Sequence, residues 1–454
     1  MWLIGFVTHL PGLRVPTPIV GTLLLLAHVA TGVVAARSLT ARIVKTAGIA
    51  GLLAGTVNLL VLSGVLASDQ AGSVLPANAV LIAIAYVAFS GIVAAVSAGG
   101  ARAMGIRATP QAAMRSREAW LARFAAVAAF SAAPVILSGG LVTSAGAGLA
   151  VHDWPGSYGQ VMWLYPLSRM TGGVYYEHAH RLFGTLVGLT TIVLVVLAFL
   201  NTRRSLPRIA AIVALVAVVA QGVMGGLRVT SADAPVGQDL SVLTPDTVPA
   251  DAPANFALTT DNATSRGLAI VHGVFGQLTV AWLAACTAFM APRFGRSGDP
   301  AVVDRPIHDR FLRKITGVLL GVLLFQLLLG ATTRHFEHFH VLMTHLGFAF
   351  VVVVVCFIAG LRAAKHRGTP VRLPGMGVAH ASGLQVVLGF GAMFSVLPYD
   401  RVGPEPWHAV LLATAHQALG AVILANAAML AAWTYRLTAR HGAPAVRSAV
   451  ASPA

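Results

Sequence analysis

Charge is scarce in this sequence: 10% of its 454 residues are Asp, Glu, Lys or Arg, against 57% hydrophobic, and the mean hydropathy is +0.78. No soluble core of this size needs so much apolar side chain, so a water-soluble globular protein is excluded and lipid must be the main solvent. Cysteine is almost absent. The two present, Cys286 and Cys356, fall inside apolar runs, which excludes a disulfide scaffold or a cysteine metal cluster and reads them as core residues. Also lacking, after Met1-Trp2-Leu3-Ile4, is an Arg-rich amphipathic leader or a short apolar segment with a small-residue cleavage site. The expectation is therefore no transit or signal peptide, and direct insertion into a bacterial cytoplasmic membrane.

What is present is a series of apolar runs of roughly 20 residues, the length that crosses a bilayer as helix. Eleven can be read, at 17–37, 43–67, 77–99, 121–143, 178–200, 208–229, 266–291, 313–333, 341–362, 376–397 and 408–435. The fold class is thus an all-α integral membrane protein with about eleven transmembrane helices. A basic stretch at 100–120, with Arg102, Arg107, Arg115, Arg117 and Pro110, separates three leading helices from eight that follow. Three domains are expected: 1–110, an N-terminal three-helix extension; 111–300, a first four-helix half; and 301–454, a second.

The net charge of +16 could suggest a nucleic-acid partner, but its distribution argues against one. When the connecting segments are assigned to alternate sides, 24 of the 31 Lys and Arg fall on one side. By the positive-inside rule that side is cytoplasmic, which puts the N-terminus outside and the C-terminus inside. Most acidic residues lie on the other side, five of them, Asp233, Asp239, Asp246, Asp251 and Asp261, near one long loop. The partner implied is membrane lipid, with no nucleic acid.

Within the eight later helices a pattern repeats. A helix ending in Gln-x-x-x-Gly (Gln221 to Gly225, Gln326 to Gly330, Gln385 to Gly389) is followed by an outer loop and a helix with a histidine near its outer end. Those histidines are His272, His345 and His416, and the first pair of helices supplies His180. Glycine follows one turn later at Gly184, Gly276 and Gly420, whereas Ala349 stands after His345. The unit is a helical hairpin delivering one histidine at a fixed depth, used four times. Two hairpins make a four-helix bundle, so the eight helices read as two pseudo-symmetric bundles, with His180 paired to His272 and His345 to His416.

A histidine in hydrocarbon is costly unless its ring nitrogens find partners. Heme iron is a fitting partner, because neutral imidazole ligates it and a four-helix bundle can present ligands to both faces of the macrocycle. A small neighbour one turn away would leave room for the ring. The bland alternative is that each histidine hydrogen-bonds to a neighbouring helix and binds nothing.

Glu177-His178-Ala179-His180-Arg181 sits where the first histidine helix enters the membrane. Glu177 and His180 share a helical face, while His178 points elsewhere. Glu177 could exchange protons beside an iron-bound histidine, or it could simply pair with Arg181 four residues on. Arg181 could instead meet a heme propionate.

That pentapeptide, preceded by Gly139-Gly140-Leu141-Val142-Thr143-Ser144-Ala145-Gly146-Ala147-Gly148-Leu149 and by Asp153-Trp154-Pro155, resembles the signature of heme A synthases over roughly residues 120–436. The resemblance implies eight transmembrane helices in two halves and oxidation of the C8 methyl of heme O to the formyl of heme A, for terminal oxidase biogenesis. It implies that Glu177 is the catalytic carboxylate. It also implies that His180 and His272 belong to the half receiving heme O, and that His345 and His416 ligate a b-type heme used for electron transfer. Candidate partners are heme O as substrate, heme O synthase and oxidase assembly factors.

Many members of that family carry cysteines in the first outer loop. Here His152 stands at the first place and Gly156 and Ser157 lie near the second, so a cysteine-dependent step is excluded. The three leading helices are also additional, and their one conspicuous deep polar residue, His28, reads as a packing residue. His335, His338 and His340, with Glu337, read as a solvated loop rather than a transition-metal site, and the segment near 229–265 as a cover or substrate lid. The rival function is a bis-histidine membrane cytochrome that passes electrons without modifying heme; a third is a transporter or scaffold without heme.

Overall fold

The computed structural model describes residues 1–10, 13, 15–67, 75–108, 117–233, 259–295, 307–336, 338–396 and 405–438. Its helices, in chain order, are α1 (Trp2–Thr8), α2 (Thr17–Ser38), α3 (Ile43–Leu62), α4 (Ala79–Ala103), α5 (Arg117–Ser144), α6 (Gly172–Asn201) and α7 (Ser205–Thr230). They continue with α8 (Ala263–Phe289), the short α9 (Pro292–Gly295), α10 (Arg310–Phe336), α11 (Phe339–Ala364), α12 (Arg372–Val396) and α13 (Trp407–Thr438). Among the described residues there is no strand, only the isolated bridges Ser157 to Gln160 and Asp233 to Thr260. Ten of these helices are long and apolar enough to span a membrane, and α3 carries a shorter apolar stretch, Ile43–Leu59. The protein is an all-α, multi-pass membrane protein. The expected domain boundaries near 110 and 300, most of the proposed lid (234–258) and Glu337 lie outside the described residues.

Helices α5 to α8 close into a ring, each packing on its neighbours and α5 returning to α8; α10, α11, α12 and α13 close in the same way. The rings meet through α8 against α13, and through the equivalent pairs α5 with α13 and α8 with α10. Contacts arranged so identify the axis relating the halves as one running through the α8–α13 contact. The leading helices form a separate group in which α4 packs on both α2 and α3. His28 is buried there, its Nδ1 on the Leu24 carbonyl (2.9 Å) and its Nε2 on Ser90 Oγ (3.0 Å), so no ring nitrogen is left for a ligand.

Apolar packing is uneven along the bundles. Call the end carrying the 201–208 and 365–371 connections, where Lys and Arg gather, the basic end. The first bundle's core there joins Leu121, Leu194 and Leu283 with Ala125, Ala128 and Ala211, small residues that let helix backbones approach. The second joins Leu312, Leu319, Cys356, Ala359, Leu424 and Leu430, also toward the basic end. Toward the opposite end α10 has no buried residue beyond Leu323 and α11 none before Val352. The histidines lie in that loosely packed half.

Candidate functional site

All four histidines stand between the seventh and tenth residue of their helices, α6, α8, α11 and α13. At a rise of about 1.5 Å per residue this is one common depth, roughly 10–15 Å from the helix start. The ring closure of each bundle then brings them together in pairs. The imidazole centres of His180 and His272 are 6.2 Å apart, with planes at 81°. Those of His345 and His416 are 6.4 Å apart, at 78°. The pairs are those expected from chain order.

Each ring is seated against a glycine of the preceding helix. A methyl group added at Gly139, Gly225, Gly330 or Gly389 would meet Cε1 of His180, His272, His345 or His416 at 2.9, 3.3, 3.0 and 3.0 Å respectively. Glycine therefore permits a close approach between ring and backbone, tightest at Gly139. The glutamine four residues earlier has its own task. Gln326 Nε2 donates to the His345 carbonyl and Gln385 Nε2 to the His416 carbonyl, both at 3.0 Å. Gln221, with its amide oriented to match, donates to the His272 carbonyl (3.2 Å) and accepts from Gly276 N–H (2.9 Å).

The first hairpin departs from this pattern. Val135 replaces glutamine, and its carbonyl, with Ser138 Oγ, lies 3.1 and 3.2 Å from His180 Nδ1. A carbonyl can only accept, so Nδ1 carries the proton and the lone pair is on Nε2, the tautomer that ligates a metal through Nε2. Sequence reasoning missed Ser138, and met Gly139 only within the signature segment and not as a ring seat, because the glutamine that marks the other three hairpins is absent here. The glycines after the histidines divide: nothing lies within 4 Å of a methyl placed at Gly184, whereas at Gly276 and Gly420 the Gln221 and Gln385 amides lie 3.5 Å away.

The connection between α5 and α6, residues 145–171, folds as a cap over the first bundle. Ala150, Val151, Tyr158, Tyr165 and Val174 form a small core in it. Asp153 accepts the N–H groups of Tyr158 (2.7 Å) and Gly159 (3.0 Å), and Tyr158 OH donates to the Ala150 carbonyl. Burial, followed by neighbouring Tyr165 and the Glu177 and Asp153 carboxylates, pushes the Tyr158 phenol well above its ordinary pKa, so it is a fixed donor.

Glu177 and Arg181 tie this cap to α6. Glu177 is buried and pairs at 2.8 Å with the mostly covered Arg181, and Glu177 Oε2 accepts the Val151 N–H at 2.9 Å. Arg181 Nη1 donates to the Asp153 (2.7 Å) and Gly156 (2.8 Å) carbonyls, and Nη2 to Val151 (2.9 Å) as well as to Glu177. With four of its five N–H groups so engaged, only Nε–H remains for any other anion. His178 is fully buried, with Nδ1 3.1 Å from Ser157 Oγ and its ring 4.9 Å from that of Tyr165. Near the same end Arg228 lies 4.0 Å from Asp261, with its Nε buried and without a hydrogen-bond partner.

The second bundle has no such cap among the described residues. His338 and His340 stack at 5.5 Å there, and no group of three or more His, Cys, Asp or Glu side chains is placed to hold a metal ion.

A metal–nitrogen bond of about 2 Å, and roughly 1.1 Å from that nitrogen to the ring centre, separate two imidazoles ligating one ion from opposite sides by about 6.2 Å. Both pairs meet this spacing. No curated protein and no solved structure matches the chain. A family model described as cytochrome oxidase assembly protein matches residues 122–340, a segment holding Glu177, His180 and His272 and ending just before His345. Over residues 122–340, therefore, this chain is similar to the COX15-CtaA family of cytochrome oxidase assembly proteins.

Proposed function

We propose that the protein oxidises the C8 methyl of heme O to the formyl of heme A in terminal oxidase biogenesis, with heme O between His180 and His272 and a permanent heme b between His345 and His416. The observation that carries the reading is the spacing of both imidazole pairs, 6.2 and 6.4 Å. The donor sets fit the group. His180 is held in the tautomer that frees Nε2, while Nδ1 of His345 and of His416 are buried without a hydrogen-bond partner, a cost that a ligated, reoriented ring would remove. The family match supports a role in cytochrome oxidase assembly.

When bound, the heme iron supplies the redox chemistry. The chain supplies the rest. The buried cap excludes water from the capped face of the first bundle. Glu177 holds or moves a proton there, and Arg181 fixes it through the 2.8 Å ion pair. Arg228, partly unpaired near His180 and His272, is better placed than Arg181 to meet a propionate. The distribution of Lys and Arg supports a bacterial cytoplasmic membrane location with the cap outside and the C-terminus inside. Heme O synthase and oxidase assembly factors are the partners such an activity needs.

The test is co-expression with a heme O synthase, followed by chromatographic identification of extracted hemes. Wild type is expected to yield heme A, and Glu177→Ala to yield none while retaining heme b. Heme A unaffected by that substitution would remove the catalytic role and favour the rival, a cytochrome that only passes electrons. What favours that rival is the near-identity of the two histidine pairs; what favours the enzyme is that, among the described residues, the cap and its carboxylate stand over the first half.

A further inference from the structure

On the second bundle, on the basic side of the paired histidines, α11 and α12 cross closely. A methyl group at Gly360 would meet the Gly375 carbonyl at 2.6 Å and Ala379 Cβ at 2.7 Å, so the helix backbones are in contact. Beside this crossing is a cavity of about 530 Å³. Its walls include Phe357 and Leu361, both exposed on the surface that faces lipid, and its lining includes Arg367, Arg372 and His380. Among the described residues no acidic side chain lines it. The nearby Asp309 is engaged by Arg362 (2.7 Å) and His366 (3.0 Å) and has no charge to spare.

Three features converge on an anion with an apolar tail. Arg372 opens α12, where the first-turn N–H groups add their partial positive charge, and its Nε is buried without a hydrogen-bond partner. His380 stands eight residues further in, about 12 Å along the axis, on the exposed face, with Nδ1 held by the Met376 carbonyl at 2.8 Å. The rest of the lining is apolar or glycine. A basic mouth above an apolar groove between two membrane helices matches a phospholipid with its phosphate at the interface and an acyl chain against the helices.

We propose that this groove binds an anionic phospholipid of the surrounding bilayer, its phosphate on Arg367 and Arg372. The inference depends on the membrane-spanning fold and not on the heme reading.

Native mass spectrometry of the full-length protein, titrated with dioleoylphosphatidylglycerol or dioleoylphosphatidylcholine, tests it. Wild type is expected to retain the anionic phosphatidylglycerol preferentially. Replacing Arg367 and Arg372 together by Gln should weaken retention roughly 30-fold, at about fivefold per charge, whereas replacing both by Lys should keep it. Gly383→Leu, where an added methylene meets only the Phe357 ring at 3.9 Å, fills the groove without touching its charges and should also abolish retention. Equal retention of the two lipids, displacement by inorganic phosphate, or wild-type retention in either the Gln variant or Gly383→Leu would overturn the proposal.

Discussion

The glycines beneath the imidazoles set how tightly each histidine can be held. Gly139 leaves least room, since a methyl added there would lie 2.9 Å from the His180 ring, and Gly225 most, at 3.3 Å from His272. Overpacking a fitted contact costs about 1–3 kcal/mol. Gly139→Ala is therefore expected to lower the melting temperature and shift the first-half ligation spectrum, while Gly225→Ala does so less; an inverted order would show that the rings are not fixed by these contacts. Arg181 poses a different question at the same scale. Its loss leaves Glu177 charged and buried and frees three cap carbonyls, a disruption on the order of 3–5 kcal/mol for a buried pair. Limited proteolysis should then cut Arg181→Ala between Ala145 and Thr171, where the wild type resists. The pairing of Glu177 with Arg181 was legible in the pentapeptide, but Arg181's hold on the cap was not. Spacing placed it beside Glu177, whereas the carbonyls it holds come from residues 25 to 30 positions earlier.

Among the elements, the hairpin is the working unit, and its connections decide how rigid it is. Asn262 caps α8 by accepting the Ser265 N–H at 2.9 Å and also donates to the Ser231 carbonyl at 2.7 Å, locking α7 to α8. Asn262→Ala should cost about 1 kcal/mol, read as a lower melting temperature. At the basic end Asp309 joins α10 to α11. Burial works to raise its pKa, but hydrogen bonds from Arg362, the Leu312 N–H and His366, with the Arg362 charge, outweigh this and hold it below the ordinary 3.8. A folded-state pKa below the unfolded one contributes stability that is complete above about 3.8 and is lost as pH falls through the folded value. Asp309→Asn should therefore lower stability at neutral pH and flatten its decline in acid; an unchanged acid limb would show that the cluster contributes nothing. The helices themselves were legible from apolar length, with one systematic error. The run begins at 178, yet α6 begins at Gly172, because Glu177 and His178 extend it into the cap, where loop contacts rather than lipid bury them.

For the whole molecule, the repeat of histidines and Gln-x-x-x-Gly predicted two equivalent bundles, and the closed rings of α5 to α8 and α10 to α13 follow that order. What the repeat could not reveal is where packing stops, since apolar composition is uniform along the helices whereas buried contacts gather at the basic end. Nor could it reveal the seating of the N-terminal segment. Phe6 stacks on Tyr175 at 5.5 Å, and Trp2 packs near Phe183 at 6.0 Å, which fastens the leading helices to α6. The central claim is that each imidazole pair clasps one heme. It is tested most directly by the visible absorption spectrum and heme content of full-length protein purified from heme-replete cells, compared with His416→Ala. Wild type should show a low-spin bis-histidine Soret band with more than one heme per chain when both sites are filled, and His416→Ala should lose the second-half heme while the first persists. A wild-type protein without a Soret band, or a variant with undiminished absorption, would contradict the account.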